Sequence, residues 1–207
     1  MAQSALLADI RRTYAYLSGS RLRRSIICLR SSGIHAVVIF RFGQWVLRRN
    51  KILRLITLMD VWYQFLDLGL QLAWGIELPR RATIGGGLYI GHFGGITISG
   101  EAVIGRNCTV SQGVTIGVSG EGPKSGVPVI GDDVYLAPGA RLFGKIHVGN
   151  NVKIGANAVI HKDIPDNAVV VLDPGFKIIS FRGNRRPAEP VDQAEPAAAP
   201  TTGAGEP

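Results

Sequence analysis

The sequence of 207 residues predicts a mainly β protein, a parallel β-helix with an N-terminal α-helical cap and a disordered C-terminal tail. The main observation is an aliphatic residue at every sixth position from Ile84 to Ile160, with two breaks. This period is typical of a parallel β-helix, in which each hexad gives one short strand and one bend. An amphipathic helix would need a period of about 3.6 residues, and a simple strand a period of about 2. The aliphatic positions are Ile84, Ile90, Ile98, Ile104, Val110, Ile116, Ile130, Leu136, Leu142, Val148, Ile154 and Ile160.

The period places the β-helix at residues 82–171 and divides the chain into four regions. Three hexads form one triangular coil of about eighteen residues, so these hexads give about four coils with the aliphatic side chains pointing inward. Residues 1–81 are expected to be α-helical. A C-terminal extension at 172–186 and a tail at 187–207 follow the coils. Because the tail has too few apolar residues to offset its ordering entropy, we predict that it is disordered.

The N-terminal region is strongly basic. Residues 1–81 contain 13 Lys and Arg residues against 4 Asp and Glu residues, and the whole chain has a net charge of +8. A solvated helical face would explain this charge, and so would attraction to anionic lipid or to an acidic substrate. A nucleic-acid partner is not expected, because no binding motif accompanies the basic residues.

The most hydrophobic segment is Leu55–Ile76, which Asp60 and Asp67 interrupt. Acidic residues in the middle of a lipid-exposed span would be costly, so the pattern predicts an amphipathic helix rather than a transmembrane one. We expect this helix to be buried against the first coil or against another subunit. Insertion into a bilayer interface is the alternative, which the basic cluster at 48–54 supports.

The expected location is the cytoplasm. Met1–Leu17 lacks the apolar run and the cleavage site of a secretion signal. The two cysteines, Cys28 and Cys108, are far apart, and Cys108 falls on an inward position of a hexad, where packing is its expected role. The basic region leaves open a peripheral position at the inner face of the membrane.

Two breaks in the period mark the candidate functional loops. Eight residues instead of six separate Ile90 from Ile98, so the turn that contains His92 has two extra residues. An imidazole has an ordinary pKa of about 6.5, which suits a general base at neutral pH, although a lone exposed histidine is usually only a surface residue. The second break adds a loop at 118–129, for which a tolerated surface insertion is the alternative to a function.

The segments around these breaks are similar to one enzyme family. Gly87–Ile96 resembles the G-x-x-x-D-H-x-x-G-I segment of serine acetyltransferases, and the match continues through Glu101–Gly105, Ser111–Gly117 and Val148–Ile160. The chain thus resembles the hexapeptide-repeat acyltransferases, and it is also similar to colanic-acid-type exopolysaccharide O-acetyltransferases. The resemblance implies a left-handed β-helix, an exception to the right-handed preference of parallel crossover connections.

The same resemblance implies an acetyl-CoA-dependent O-acetyltransferase that works as a homotrimer. His92 would be the catalytic base. The acceptor would bind near Gly91, Phe93, Gly94 and Lys124. Acetyl-CoA would lie between subunits along Gly117, Pro138 and Ala156, with its phosphates toward Lys162, Lys177 and Arg182. A metal is not expected, because the sequence has no metal-ligand cluster, P-loop or Ser-His-Asp arrangement.

The chain departs from serine acetyltransferases at the acceptor site. Gly91 replaces the carboxylate that precedes the catalytic histidine, and the 118–129 loop lacks the family's second histidine and its arginine. No equivalent of the family's Asp-Pro element is found in the helical region. Because these groups orient the histidine and bind the ends of serine, the acceptor is either L-serine or a sugar hydroxyl of an exopolysaccharide or its lipid-linked precursor. A non-catalytic β-helix scaffold is the alternative of another class.

Overall fold

The computed structural model describes residues 5–48, 54–119 and 125–172. Four α-helices come first. They are α1 (Ala5–Tyr16), α2 (Arg21–Arg30), α3 (Ser32–Leu47) and α4 (Arg54–Trp74). Gly75 follows α4 with a φ of +60°, the left-handed conformation that commonly ends a helix. The predicted tail at 187–207 and the predicted extension from residue 173 onward lie outside the described residues.

Fourteen short strands follow within these ranges. In chain order they are β1 (Ile76–Glu77), β2 (Thr83–Ile84), β3 (Tyr89–Ile90), β4 (Ile96–Ile98), β5 (Val103–Ile104), β6 (Thr109–Val110), β7 (Thr115–Gly117), β8 (Val129–Ile130), β9 (Tyr135–Leu136), β10 (Arg141–Phe143), β11 (His147–Val148), β12 (Lys153–Ile154), β13 (Val159–Ile160) and β14 (Val169–Val170). They form three parallel sheets, with the orders β1-β4-β7-β10-β13, β2-β5-β8-β11 and β3-β6-β9-β12-β14. Up to β13, successive strands enter successive sheets, so each coil gives one strand to each face of a triangular prism. The predicted left-handed parallel β-helix with an N-terminal helical cap is confirmed.

The aliphatic residues of the six-residue period form the core of the prism. All twelve side chains that were expected to point inward are buried, and none is more than 6 % exposed. Full burial of a Val, Leu or Ile side chain is worth roughly 1.5–3 kcal/mol, so these rows supply much of the stability of the prism. Cys108 packs among them, and burial raises the pKa of its thiol to about 11.

The first strand begins before residue 82. Ile76 and Glu77 pair with Ile96 and Thr97. Leu78, which stands six residues before Ile84, is also buried. The six-residue period therefore starts one hexad earlier than the series read from Ile84.

Several corners of the prism are tight turns in which a non-glycine residue adopts the left-handed conformation. Their φ angles lie between 54° and 61°. Asparagine and aspartate tolerate this conformation because their short polar side chains hydrogen-bond locally. The residues concerned are Asn107, Asp133, Asn151, Asn157 and Asn167.

Arg12 of α1 attaches the helical cap to the coils. Its Nη1 donates hydrogen bonds to the carbonyl oxygens of Gly87 and Cys108, the latter at 2.9 Å. Its Nη2 donates to Oγ1 of Thr109 at 3.0 Å. Since Gly87 and Cys108 belong to neighbouring coils, one side chain binds both of them.

Asp9 and Arg41 form a second attachment, which is buried. The Asp9 carboxylate is fully buried, and it accepts a hydrogen bond from the Leu88 N–H at 2.7 Å and from Arg41 Nε at 2.8 Å. Arg41 also donates to the carbonyl oxygens of Ile84 at 2.8 Å and Gly85 at 2.6 Å. The pair therefore joins α1, α3 and the first coil.

Helix α4 is amphipathic, as predicted, but little of it is buried within one chain. Tyr63 and Leu70 are buried, whereas Trp62 and Phe65 are 56 % and 68 % exposed. Among the described residues no single helix has the length and hydropathy needed to cross a bilayer. Only α2 and α3 taken together, with a bend of 64° between them, meet those requirements.

Candidate active site

The eight-residue spacing forms a loop at residues 91–95, between β3 and β4. His92 and Phe93 are exposed on this loop. Gly94 and Gly95 have φ angles of 104° and 65°, which residues other than glycine rarely adopt. The carbonyl oxygen of Gly94 accepts a hydrogen bond from the Gly113 N–H at 2.8 Å, which fixes the loop to the next coil. The two inserted residues therefore present His92 on a well-anchored turn.

His92 faces a cavity of about 340 Å³ between this loop and the helical cap. The cap contributes Thr13 and Leu17 around α1, Ile27 and Arg30 of α2, and Ser31 and Ser32 where α2 meets α3. The coils contribute Tyr89, Gly91, His92 and Phe93. The structure thus brings the predicted base and two of the predicted acceptor-binding residues to one cavity.

No carboxylate among the described residues lines this cavity, and within that part of the chain the His92 ring has no hydrogen-bond partner. A Cβ atom added at Gly91 would stand 3.2 Å from Cε1 of Tyr89. Gly91 has no side chain that could orient the imidazole, and the residues Ser31, Ser32 and Arg30 border the same space.

Tyr89 is a cavity residue that sequence reasoning missed. Its ring stacks on that of Tyr16, with 4.3 Å between the centroids and 18° between the planes. A phenol is protonated at neutral pH and burial raises the pKa of Tyr89 further, so its hydroxyl is able to donate a hydrogen bond. The only sequence signal was its place just before the inward Ile90, which predicts an outward side chain in a strand.

Two predicted cofactor positions share one corner of the prism with the His92 loop. The Asn157 N–H donates to the carbonyl oxygen of Pro138 at 2.9 Å, which stacks Ala156 beside Pro138 in the neighbouring coil. The Gly139 N–H donates to the carbonyl oxygen of Gln112 at 2.9 Å, and the bond from Gly113 to Gly94 extends the same row. Gly94, Gln112, Pro138 and Ala156 therefore form a continuous column along this corner.

The other predicted cofactor positions are more scattered. Gly117 ends β7, and a Cβ added there would lie 3.1 Å from the ring of Phe143, so a larger residue would crowd that ring. Lys162 is exposed, two residues after β13. Lys124, Lys177 and Arg182 lie outside the described residues. In the described ranges no cluster of three metal-ligating side chains occurs.

Comparisons with known proteins agree with this architecture. Residues 128–162 match the family described as bacterial transferase hexapeptide (six repeats). The serine acetyltransferase of Bacillus pumilus is 36 % identical over 153 residues, which cover 74 % of this chain and 67 % of the relative.

Solved structures give the same result. Serine acetyltransferase isoform 3 from Entamoeba histolytica, in complex with cysteine, matches with a TM-score of 0.68 and 28 % identity, over 85 % of this chain and 60 % of that one. Neisseria gonorrhoeae serine acetyltransferase in complex with serine matches with a TM-score of 0.67 and 29 % identity, over 82 % and 66 %. The chain thus spans about two thirds of the length of the relatives that it matches. With this fold, these motifs and these relatives, the chain belongs to the serine acetyltransferase family of hexapeptide-repeat acyltransferases.

Proposed function

We propose that this chain is an acetyl-CoA-dependent O-acetyltransferase with His92 as its general base. The observation that carries the proposal is the position of His92, exposed on an inserted and anchored turn at the cavity between the cap and the coils. Membership of an acyltransferase family supports the reaction class.

In this reaction the acceptor hydroxyl and the thioester bind side by side. The acceptor oxygen attacks the acetyl carbonyl carbon while His92 takes the hydroxyl proton. Collapse of the tetrahedral intermediate breaks the carbon–sulfur bond, and CoA leaves as a thiol after receiving a proton. Holding both reactants in one cleft supplies the orientation that such a transfer needs.

The acetyl-CoA arm is proposed to lie along the corner column of Pro138 and Ala156 and past Gly117. Small residues there leave room for the backbone to approach a narrow substrate. Lys162 is exposed and is proposed to bind the phosphates, with Lys177 and Arg182 as further candidates.

A homotrimer is proposed because the donor cleft would be completed by a neighbouring subunit. Helix α4 supports self-association through a row of side chains spaced three or four residues apart, each more than half exposed. They are Leu58, Val61, Phe65, Leu68 and Leu72.

A cytoplasmic location, with peripheral contact at the inner face of the membrane, stays a prediction.

L-serine is the acceptor that the family suggests. A sugar hydroxyl of an exopolysaccharide or of its lipid-linked precursor is the second candidate, and the cavity lining favours it. L-serine carries an ammonium group, yet no carboxylate of the described residues lines the cavity. Hydroxyl groups and the stacked ring of Tyr89 border it instead, which suits a polyhydroxylated acceptor, whereas Arg30 suits the carboxylate of serine as well as a phosphate.

The test is the release of free thiol from acetyl-CoA, measured with L-serine, simple sugars and a panel of nucleotide sugars. His92→Ala is expected to lower turnover by about 10²–10⁴-fold and to leave acetyl-CoA binding almost unchanged. His161→Ala is the matched control, since His161 is exposed on an ordinary hexad. Near-normal activity of His92→Ala on the true acceptor would remove the base from the mechanism. The absence of thiol release with every acceptor would favour the scaffold alternative.

A further inference from the structure

The outer face of α2 is an exposed apolar stripe. Leu22, Ile26 and Leu29 are 72 %, 51 % and 74 % exposed. Their spacing of four and three residues places them on one side of the helix. This stripe is separate from the row on α4.

The opposite face of α2 is held by the rest of the cap, which fixes the orientation of the stripe. Cys28 is buried. The Arg24 guanidinium lies 4.0 Å from the ring centroid of Tyr14, and its Nη2 donates to the Tyr14 carbonyl oxygen. The first turn is capped by Ser20, which accepts a hydrogen bond from the Arg23 N–H at 3.4 Å. Leu22, Ile26 and Leu29 therefore point away from the protein.

Basic side chains border the stripe on both sides. At about 100° per residue, Arg21 lies on one side of it, and Arg23 and Arg30 lie on the other. All three are exposed. The chain has no acidic residue between Asp9 and Asp60, so no carboxylate of this segment neutralises them.

We propose that α2 binds the surface of an anionic lipid bilayer. Leu22, Ile26 and Leu29 enter the boundary between headgroups and acyl chains, and the bordering arginines bind lipid phosphates, as in other interfacial amphipathic helices. A second copy of the same face is a poor partner, because two sets of arginines would be brought together.

This orientation has a consequence for the cavity. Ile27 and Arg30 of the same helix line the cavity that His92 faces. A bilayer-bound α2 therefore holds the cavity near the headgroups, where a lipid-linked sugar would be presented. This consequence rests on the proposed function, whereas binding of α2 to lipid does not.

The experiment is co-sedimentation of the full chain with vesicles. One set contains equimolar phosphatidylcholine and phosphatidylglycerol, and the other contains phosphatidylcholine alone. We expect binding to the anionic vesicles only, weakened by added salt. The triple variant Leu22→Gln, Ile26→Gln, Leu29→Gln is expected to lower this binding by about tenfold or more, because the apolar contacts are lost.

The matched control makes the same kind of change in the last coil, as Val169→Gln with Val171→Gln, and is expected to keep the binding, because these exposed valines belong neither to the stripe nor to the row on α4. The proposal is overturned if the α2 variant binds as well as the parent chain, if both variants lose binding equally, or if neither vesicle is bound. A change of oligomeric state in the α2 variant would assign this face to a second copy instead. If the parent chain bound an acidic protein but neither kind of vesicle, and the α2 variant did not bind that protein, the face would be assigned to a protein partner. Thiol release with a soluble acceptor should be the same in the α2 variant and the parent chain, so failure of the proposed reaction is detected separately.

Discussion

Replacing Arg41 by alanine should detach the helical cap from the coils at a large cost in stability. The change removes the only described side-chain partner of a fully buried carboxylate, Asp9, and leaves the carbonyl oxygens of Ile84 and Gly85 without this donor. Removing one member of a buried ion pair typically costs about 3–5 kcal/mol, because the remaining charge is left uncompensated. We therefore expect Arg41→Ala to lower the free energy of unfolding of the cap by about that amount.

The measurement is urea unfolding followed by tryptophan fluorescence. The three tryptophans of the chain, Trp45, Trp62 and Trp74, all lie in the helical cap, so their emission reports the cap rather than the prism. Arg11→Ala is the control, because Arg11 is exposed and its loss should change stability by no more than about 0.5 kcal/mol.

A double variant, Asp9→Ala with Arg41→Ala, separates the pair from its surroundings. It should cost less than the sum of the two single variants, by about 0.5–3 kcal/mol of coupling energy. If Arg41→Ala is no more destabilising than Arg11→Ala, or if the two single effects add, the buried pair does not hold the cap and the reasoning is refuted.

Two other predictions follow from the structure. Gly139→Ala should lower the stability of the prism in thermal unfolding, because residue 139 has a φ of +73° and the new methyl group would clash with the side-chain amide of Asn157. Gly69→Ala is the control. It lies on an open face of α4 and should stabilise the protein by about 0.5–1 kcal/mol. Burial raises the pKa of the Cys108 thiol to about 11, so Cys108 should resist a thiol reagent at neutral pH until the protein is unfolded in urea. Mass spectrometry would follow the labelling. Rapid labelling of Cys108 in the folded protein would contradict its burial.

The coils could be predicted from the sequence because their determinants are local. Each buried position repeats at a fixed spacing, and an aliphatic side chain such as Leu136 faces inward wherever the strand and the bend have standard lengths. The loop with His92 was found for the same reason, since two extra residues in a strict period must leave the prism. The start of the first sheet was missed, although Leu78 keeps the six-residue spacing.

The cavity could not be predicted, because its walls come from segments far apart in the chain. Arg12 binds atoms 75 to 97 residues away, and nothing in the pattern around Arg12 indicates which carbonyl it meets. The same holds for Tyr89 and for Arg30, which line the cavity only after α1 and α2 have packed on the coils. Helical periodicity predicts that a helix has an apolar face, but it does not tell whether the partner is a coil, another subunit or lipid.

The attachment through Arg12 sets an order of events during synthesis. Strands of neighbouring coils pair across short stretches of chain, as Thr97 does with Thr115. Arg12 instead needs Gly87 and Cys108, in two different coils, which leave the ribosome long after it does. Contacts at long separation form late, so we expect α1 to wait undocked, with its apolar side chains exposed, until the first two coils have folded. A nascent chain stopped before Cys108 should therefore depend on chaperones in a way that one extending past the second coil does not.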